Sequence, residues 1–163
     1  MIRYAGGEDI SRIAEILVFG KRTAYRGIFN NDTFSFKELQ VLKVVREYQS
    51  DPSLLKNTLL YDDGIVKGII GRRTPPENAE ETELCDFYVE PVFQGKGIGS
   101  KLIQRFIEDA RAEKKKRIFL WVIKDNLSAR KFYERSGFAA DGQERLIEGT
   151  QVLDKRYVME LQV

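Results

Sequence analysis

The chain contains no histidine among its 163 residues. That excludes Ser-His-Asp and Cys-His nucleophile arrangements and any imidazole metal site. A single cysteine, Cys85, excludes an internal disulfide and a thiolate zinc site, so no metal is expected. Without a histidine to activate it, Cys85 reads as a small buried strand residue rather than a ping-pong nucleophile. No apolar run approaches the ~18 residues that span a bilayer. Met1 to Tyr4 leads straight into polar sequence, unlike a signal peptide. The cytoplasm is therefore the expected compartment, with no membrane partner. Net charge is only +2 although 32% of residues are charged, a balanced surface with no push toward nucleic acid. The basic run from Lys114 to Arg117 reads as a solvated helix end that suits the helix dipole. Acid–base work must then fall to carboxylates, tyrosine, lysine, the lone thiol or water.

What the chain does have is 42% apolar residues, enough for a core, with no repeat, low-complexity tract or linker. One domain over residues 1–163 is expected. Its organising stretch is Leu84 to Lys101. Leu84 to Val89 reads as a strand, which Pro91 stops for want of an N–H. Gln94 to Gly99 is a glycine-rich loop that opens a helix with Leu102, Ile103, Phe106, Ile107 and Ala110 on one face. A strand, a glycine loop and a helix start make an anion site of backbone N–H groups and positive dipole. The loop lacks the spacing of a dinucleotide fingerprint and of a Walker loop.

Before this stretch come a strand at Ile2 to Ala5 and a helix from an Asp9 N-cap to Gly20. Lys21 to Thr33 reads as a loop or short helix. A further helix, capped by Ser35, runs through Tyr48, with Phe36, Leu39, Leu42, Val44 and Val45 as its inward-facing candidates, and Asp51-Pro52 closes it. Thr58 to Tyr61 and Ile65 to Arg72 flank Asp62-Asp63-Gly64, a strong hairpin signal. After the stretch, Ile118 to Ile123 is a central apolar strand and Leu127 to Arg135 a helix capped by Asp125-Asn126. Gly137 ends that helix, Phe138-Ala139 begins a strand, Gly142 to Thr150 is a polar loop, and Val152 to Leu161 is the last strand. This order gives an α/β (α+β) chain, a mixed sheet with helices on its faces.

Gln94-Gly95-Lys96-Gly97-Ile98-Gly99 resembles the Gln/Arg-x-x-Gly-x-Gly/Ala acyl-CoA signature of the GNAT superfamily of N-acetyltransferases. Phe87-Tyr88-Val89-Glu90-Pro91 looks like that family's strand and its exit. Asn126 to Phe138 is similar to its Asn-x-x-Ala-x-x-x-Tyr-x-x-x-Gly-Phe block, in the right order and at the right spacing. The resemblance covers essentially the whole chain. It implies a single-domain GNAT-like fold with a central, mostly antiparallel sheet flanked by helices on both faces, and acetyl-CoA or coenzyme A as co-substrate.

The resemblance also implies roles. The loop from Gly95 to Ser100 would hold the coenzyme A pyrophosphate, and Gln94, Gly95, Lys96, Gly97, Ile98, Gly99 and Ser100 are cofactor-binding candidates. Lys96 is either a charge aimed at the phosphates or a solvated lysine. Backbone groups near Phe87, Tyr88 and Val89 would hold the pantetheine arm, where the sheet splays beside the strand ending at Ile123. The Val89 N–H would be the oxyanion donor. Asn126, Ala129 and Tyr133 match further cofactor positions, and Asn126 can equally be a helix cap. Tyr133 is the candidate general acid; packing beside Phe132 is the structural alternative.

A primary amine has a pKa of ~10 and must lose a proton before attack. Glu83 is the candidate base, with a solvated carboxylate as its alternative and Asp86, on the opposite strand face, as second choice. The acceptor, a small-molecule or peptide amine, is not named by the sequence, and a homodimer is compatible with the family. A non-catalytic acyl-CoA-binding module of the same fold is the competing reading.

Overall fold

The computed structural model describes residues 1–162. Its seven strands are β1 (Ile2–Tyr4), β2 (Thr58–Asp62), β3 (Val66–Arg73), β4 (Glu81–Val89), β5 (Arg117–Ile123), β6 (Ala139–Leu146) and β7 (Leu153–Glu160). They form one mixed sheet in the order β1-β2-β3-β4-β5-β7-β6. The β4–β5 pair is parallel, with Glu81 opposite Arg117 through Leu84 opposite Leu120. The β1–β2, β2–β3, β5–β7 and β6–β7 pairs are antiparallel. The helices are α1 (Ile10–Phe29), α2 (Val41–Ser50), α3 (Ser53–Lys56), α4 (Ile98–Ala112) and α5 (Leu127–Arg135).

Two compact units make up the chain. One comprises Met1–Gly71 with Asp86–Ile103; the other comprises Arg72–Cys85 with the chain from Gln104 onward. Both β4 and α4 contribute residues to each.

In the first unit, Ile13, Ile16 and Leu17 of α1 pack with Tyr48, Leu60, Val66 and Ile69 into an apolar core, with Tyr88 at its margin. Arg3 pins the start of the unit. Its guanidinium donates to both Asp9 carboxylate oxygens, at 2.7 and 2.8 Å, and to Asp62 at the end of β2. Asp9 is buried, and the Arg3 bonds hold its carboxyl below the ordinary aspartate range. Asp9 stands at the N-cap position of α1, as expected, but its side chain makes no cap bond there: it accepts from Arg3 and from the Gly6 N–H instead. The Asp-Gly turn is as expected, with Gly64 at φ +100°.

Helix α1 corrects the expected boundary. It runs through Gly20 to Phe29 and ends where Asn30 turns left-handed at φ 48°. Gly20 is therefore not a stop signal. A Cβ there would lie 2.7 Å from Tyr88 Cδ1, so glycine is present to let β4 approach the helix. The Ser35–Tyr48 helix is also corrected. Phe34–Glu38 is a π-helical turn, α2 begins at Val41, and α3 follows Asp51-Pro52. Phe36 and Leu42, expected inside, are 49% and 67% exposed because the interruption rotates their positions off the inner face.

In the second unit, Ile118, Leu120, Phe106, Ala110 and Tyr157 are almost wholly buried. Tyr157 donates to Glu134 of α5 at 2.8 Å and accepts from Arg130 at 3.1 Å, fastening α5 to β7. Strand β6 extends to Leu146, through the region expected to be loop. A register shift between Ala140 and Glu144 absorbs Gly142, at φ +87°, and lets the strand resume. No helix among the described residues is long and apolar enough to cross a membrane.

The Gly20 contact yields a test. Gly20→Val should destabilise the protein by ~2 kcal/mol through overpacking against Tyr88, read as a lower midpoint in urea unfolding. An unchanged midpoint would show that the helix and strand do not need this approach.

Candidate functional site

Strand β4 in the first unit ends at Phe87, Tyr88 and Val89, all half-buried. Tyr88 lies against Gly20, and its hydroxyl shares a 2.8 Å hydrogen bond with Tyr25. The Val89 carbonyl accepts from the Gln94 side-chain amide at 3.0 Å. Gln94 thus folds the loop back onto the strand end.

The loop itself is shaped by Gly95 at φ +74° and Gly97 at φ +76°. A Cβ at either would meet nothing within 4 Å, so backbone conformation rather than crowding calls for glycine there. Ile98, 5% exposed, anchors the first turn of α4, and Lys101 N–H bonds Gly97 O at 3.1 Å. The N–H groups of the first helical residues, including Ile98, Gly99 and Ser100, have no acceptor one turn earlier within the helix. They supply donors where the dipole is positive. Lys96 is exposed, with its ammonium 5.5 Å from the Phe93 ring, and Lys67 lies 4.8 Å from the same ring. The loop edge therefore carries cations as well as amide donors.

Asp86 belongs to this first unit too. It faces Lys21 of α1 at 3.4 Å and lies close to Gly71.

Glu83 lies in the second unit. It is 7% exposed, and Arg73 Nε donates to its Oε2 at 2.6 Å. This is a buried, ion-paired carboxylate, unlike the solvated alternative. Hydrogen bonding to Glu83, then the charge of Glu83, holds the Arg73 guanidinium firmly protonated. Two residues on, Cys85 is exposed, with Sγ 3.8 Å from the Glu83 carbonyl oxygen. The expectation of a buried cysteine is thus corrected. Alternation along β4 turns Cys85 away from the apolar side occupied by Leu84.

On α5, Asn126 is the N-cap, its Oδ1 accepting from the Ala129 N–H at 3.2 Å. Tyr133 is 9% exposed and lies edge-on to Phe132 and Phe138, at centroid distances of 5.6 and 6.0 Å. The packing given as the alternative for Tyr133 is thus present.

The same unit holds a cluster that motif reading does not single out. Arg145 of β6 places its guanidinium 4.0 Å from the centroid of Trp121 and 3.4 Å from Asp154 of β7. Asp154 is 8% exposed, and burial pushes its carboxyl up despite the nearby Arg145. The available signal was that Trp121 is the chain's one tryptophan. Among the described residues no group of His, Cys, Asp and Glu is placed to hold a metal.

Residues 22–138 match the model of the acetyltransferase (GNAT) family. The chain belongs to that family. The GNAT segment contains the glycine loop, the end of β4 and all of α5, and it stops before Arg145 and Asp154.

Among curated relatives, an uncharacterised N-acetyltransferase of Methanocaldococcus jannaschii is 40% identical over 62 residues. That match covers 38% of this chain and 27% of the relative, so the chain spans about a quarter of that protein's length. The spermine/spermidine N(1)-acetyltransferase of Bacillus subtilis (strain 168) is 30% identical over 111 residues, 64% of this chain and 73% of that one. The PaiA N-acetyltransferase of Thermoplasma acidophilum, solved with coenzyme A, superposes with a TM-score of 0.77 at 20% identity. It covers 99% of this chain, and 98% of its own length is matched.

The sign of the Asp154 shift gives a stability test. A carboxyl whose pKa is raised on folding opposes folding once it is ionised. Asp154→Asn should therefore match the parent in stability at low pH, where both are neutral. It should become the more stable of the two as pH rises from the ordinary aspartate range to the raised Asp154 pKa, with the gap constant above that, measured by thermal melts across pH. A variant less stable at neutral pH than at acid pH, relative to the parent, would contradict this.

Proposed function

We propose that the chain is an acetyl-CoA-dependent N-acetyltransferase that moves the acetyl group directly to a primary amine, with residues 1–163 acting as one catalytic domain. The observation that carries this is the Gln94–Ser100 loop: two left-handed glycines, a tether from Gln94 to Val89, and the open start of α4. Backbone donors at a helix start, flanked by Lys96, suit the pyrophosphate of coenzyme A. The coenzyme A complex of the Thermoplasma protein supports the choice of co-substrate through the shared fold. The N-acetyltransferases among the relatives support the reaction class.

In this reading Phe87, Tyr88 and Val89 offer backbone groups to the amide-rich pantetheine arm, as an added strand would pair. The Val89 N–H stabilises the oxyanion as the amine nitrogen bonds to the thioester carbon. Glu83 takes the proton from the amine, directly or through water; Arg73, on Oε2, orients the carboxylate. The carbon–sulfur bond then breaks, and Tyr133 returns a proton to the thiolate. A phenol of pKa ~10 protonates a thiolate whose conjugate acid is near ~8.5 in a modestly uphill transfer, and the phenolate then regains its proton from water. Asn126 caps the start of α5 through the Ala129 N–H, and the family motif makes both cofactor-binding candidates. A cytoplasmic setting and a small-molecule or peptide amine as acceptor complete the proposal.

The test is release of free thiol from acetyl-CoA with a panel of amines. Tyr133→Phe should lower kcat by ~100-fold with cofactor affinity nearly unchanged. Glu83→Gln should abolish the acidic limb of the pH–rate profile, where the rate falls as the base takes up a proton. A Tyr133→Phe enzyme at full rate removes the acid assignment, and an unchanged pH profile for Glu83→Gln removes the base.

A further inference from the structure

One face of the sheet in the second unit repeats an arrangement. Phe119 and Trp121 of β5 point to the same side, opposite Val158 and Arg156 of β7. The Arg156 guanidinium lies 5.7 Å from the Phe119 ring centroid, with Asp141 bound at 2.6 Å. The Arg145 guanidinium lies 4.0 Å from the Trp121 centroid, with Asp154 at 3.4 Å. Each is a cation held between an aromatic face and a carboxylate.

The two differ in how firmly the arginine is held. Arg156 and Asp141 make a short bond, and their side chains are 20% and 18% exposed. Arg145 is 50% exposed, while its partner Asp154 is only 11% exposed. Arg145 also stands on β6, exposed along its whole length. A buried carboxylate gains least from a long, solvent-weakened contact and most from a well-placed desolvated cation. An indole face beside it is suited to an alkylammonium.

We infer that Trp121 and Asp154 form a binding box for the non-reacting ammonium of an aliphatic di- or polyamine acceptor, with Arg145 as the internal cation that the ligand displaces. The inference rests on the amine-acetyltransferase reading. Its choice of acceptor follows from proton chemistry. The nitrogen that attacks must be neutral, whereas an aromatic face and a carboxylate stabilise the protonated form. The box therefore suits a second cationic centre and not the reacting one. Arg145 can leave because its side chain is long, flexible and already half in solvent.

Because Trp121 is the chain's one tryptophan, its fluorescence reads the box directly. The measurement uses the full chain without acetyl-CoA, so it can fail while transfer stands, and transfer can fail while it succeeds. Titration with spermidine should change Trp121 emission saturably, and n-butylamine at equal ionic strength should need a concentration at least about tenfold higher. Asp154→Asn should weaken spermidine about tenfold. Arg145→Ala, at a half-exposed position on an exposed strand, should tighten it several-fold by removing the competitor. Equal response to spermidine and butylamine, or weaker spermidine binding by Arg145→Ala, overturns the inference. The Arg145 result decides the matter independently of Asp154→Asn.

Discussion

Phosphate oxygens need hydrogen-bond donors. In this chain the donors nearest the family's cofactor motif are backbone N–H groups, freed by glycine. At Gly95 and Gly97 the backbone adopts φ values of +74° and +76°, which an L side chain rarely tolerates. That pair of turns ends the β4 exit and opens α4 with its unpaired amides forward. The surrounding features hold this geometry in place. Ile98 sinks into the apolar side, Gln94 ties the loop to Val89, and Gly20 lets Tyr88 and its strand lie against α1. A loop of ordinary residues would need a different backbone path, and the donors would point elsewhere.

The carboxylates show how burial divides groups that look alike in sequence. Glu83 and Asp86 are three residues apart, yet Glu83 is buried against Arg73 and Asp86 faces Lys21. Asp9 is buried with a bidentate arginine, which holds it below the ordinary range. Asp154 is buried with a distant one, and desolvation wins. Such a poorly compensated carboxylate costs stability, which makes a binding role the more economical explanation for its presence.

Features set by neighbouring residues were legible in the sequence. The Asp62-Asp63-Gly64 turn, the apolar β5 and the Asn126-capped α5 follow from local pattern, and the two GNAT blocks announced the family. What was not legible depends on distant partners. Gly20 looks like a stop signal until Tyr88 is placed against it. Asp9 stands at the cap position, but only the folded chain shows that Arg3 claims both of its oxygens. Phe36 and Leu42 fit a helical stripe that the π-helical turn breaks. The strand β6 is hidden by Gly142, by its polar composition and by full exposure; only pairing with β7 defines it. Likewise the Trp121, Arg145 and Asp154 cluster draws on three strands and has no motif.

The central claim is that the glycine loop at the head of α4 holds a pyrophosphate. Calorimetric titration with coenzyme A and with pantetheine, which has the same thiol arm and no phosphates, tests it most directly. Coenzyme A should bind at least ~100-fold more tightly, the scale of a few charge-assisted hydrogen bonds. Equal affinity for the two ligands would show that the loop takes no part in binding and would contradict the account.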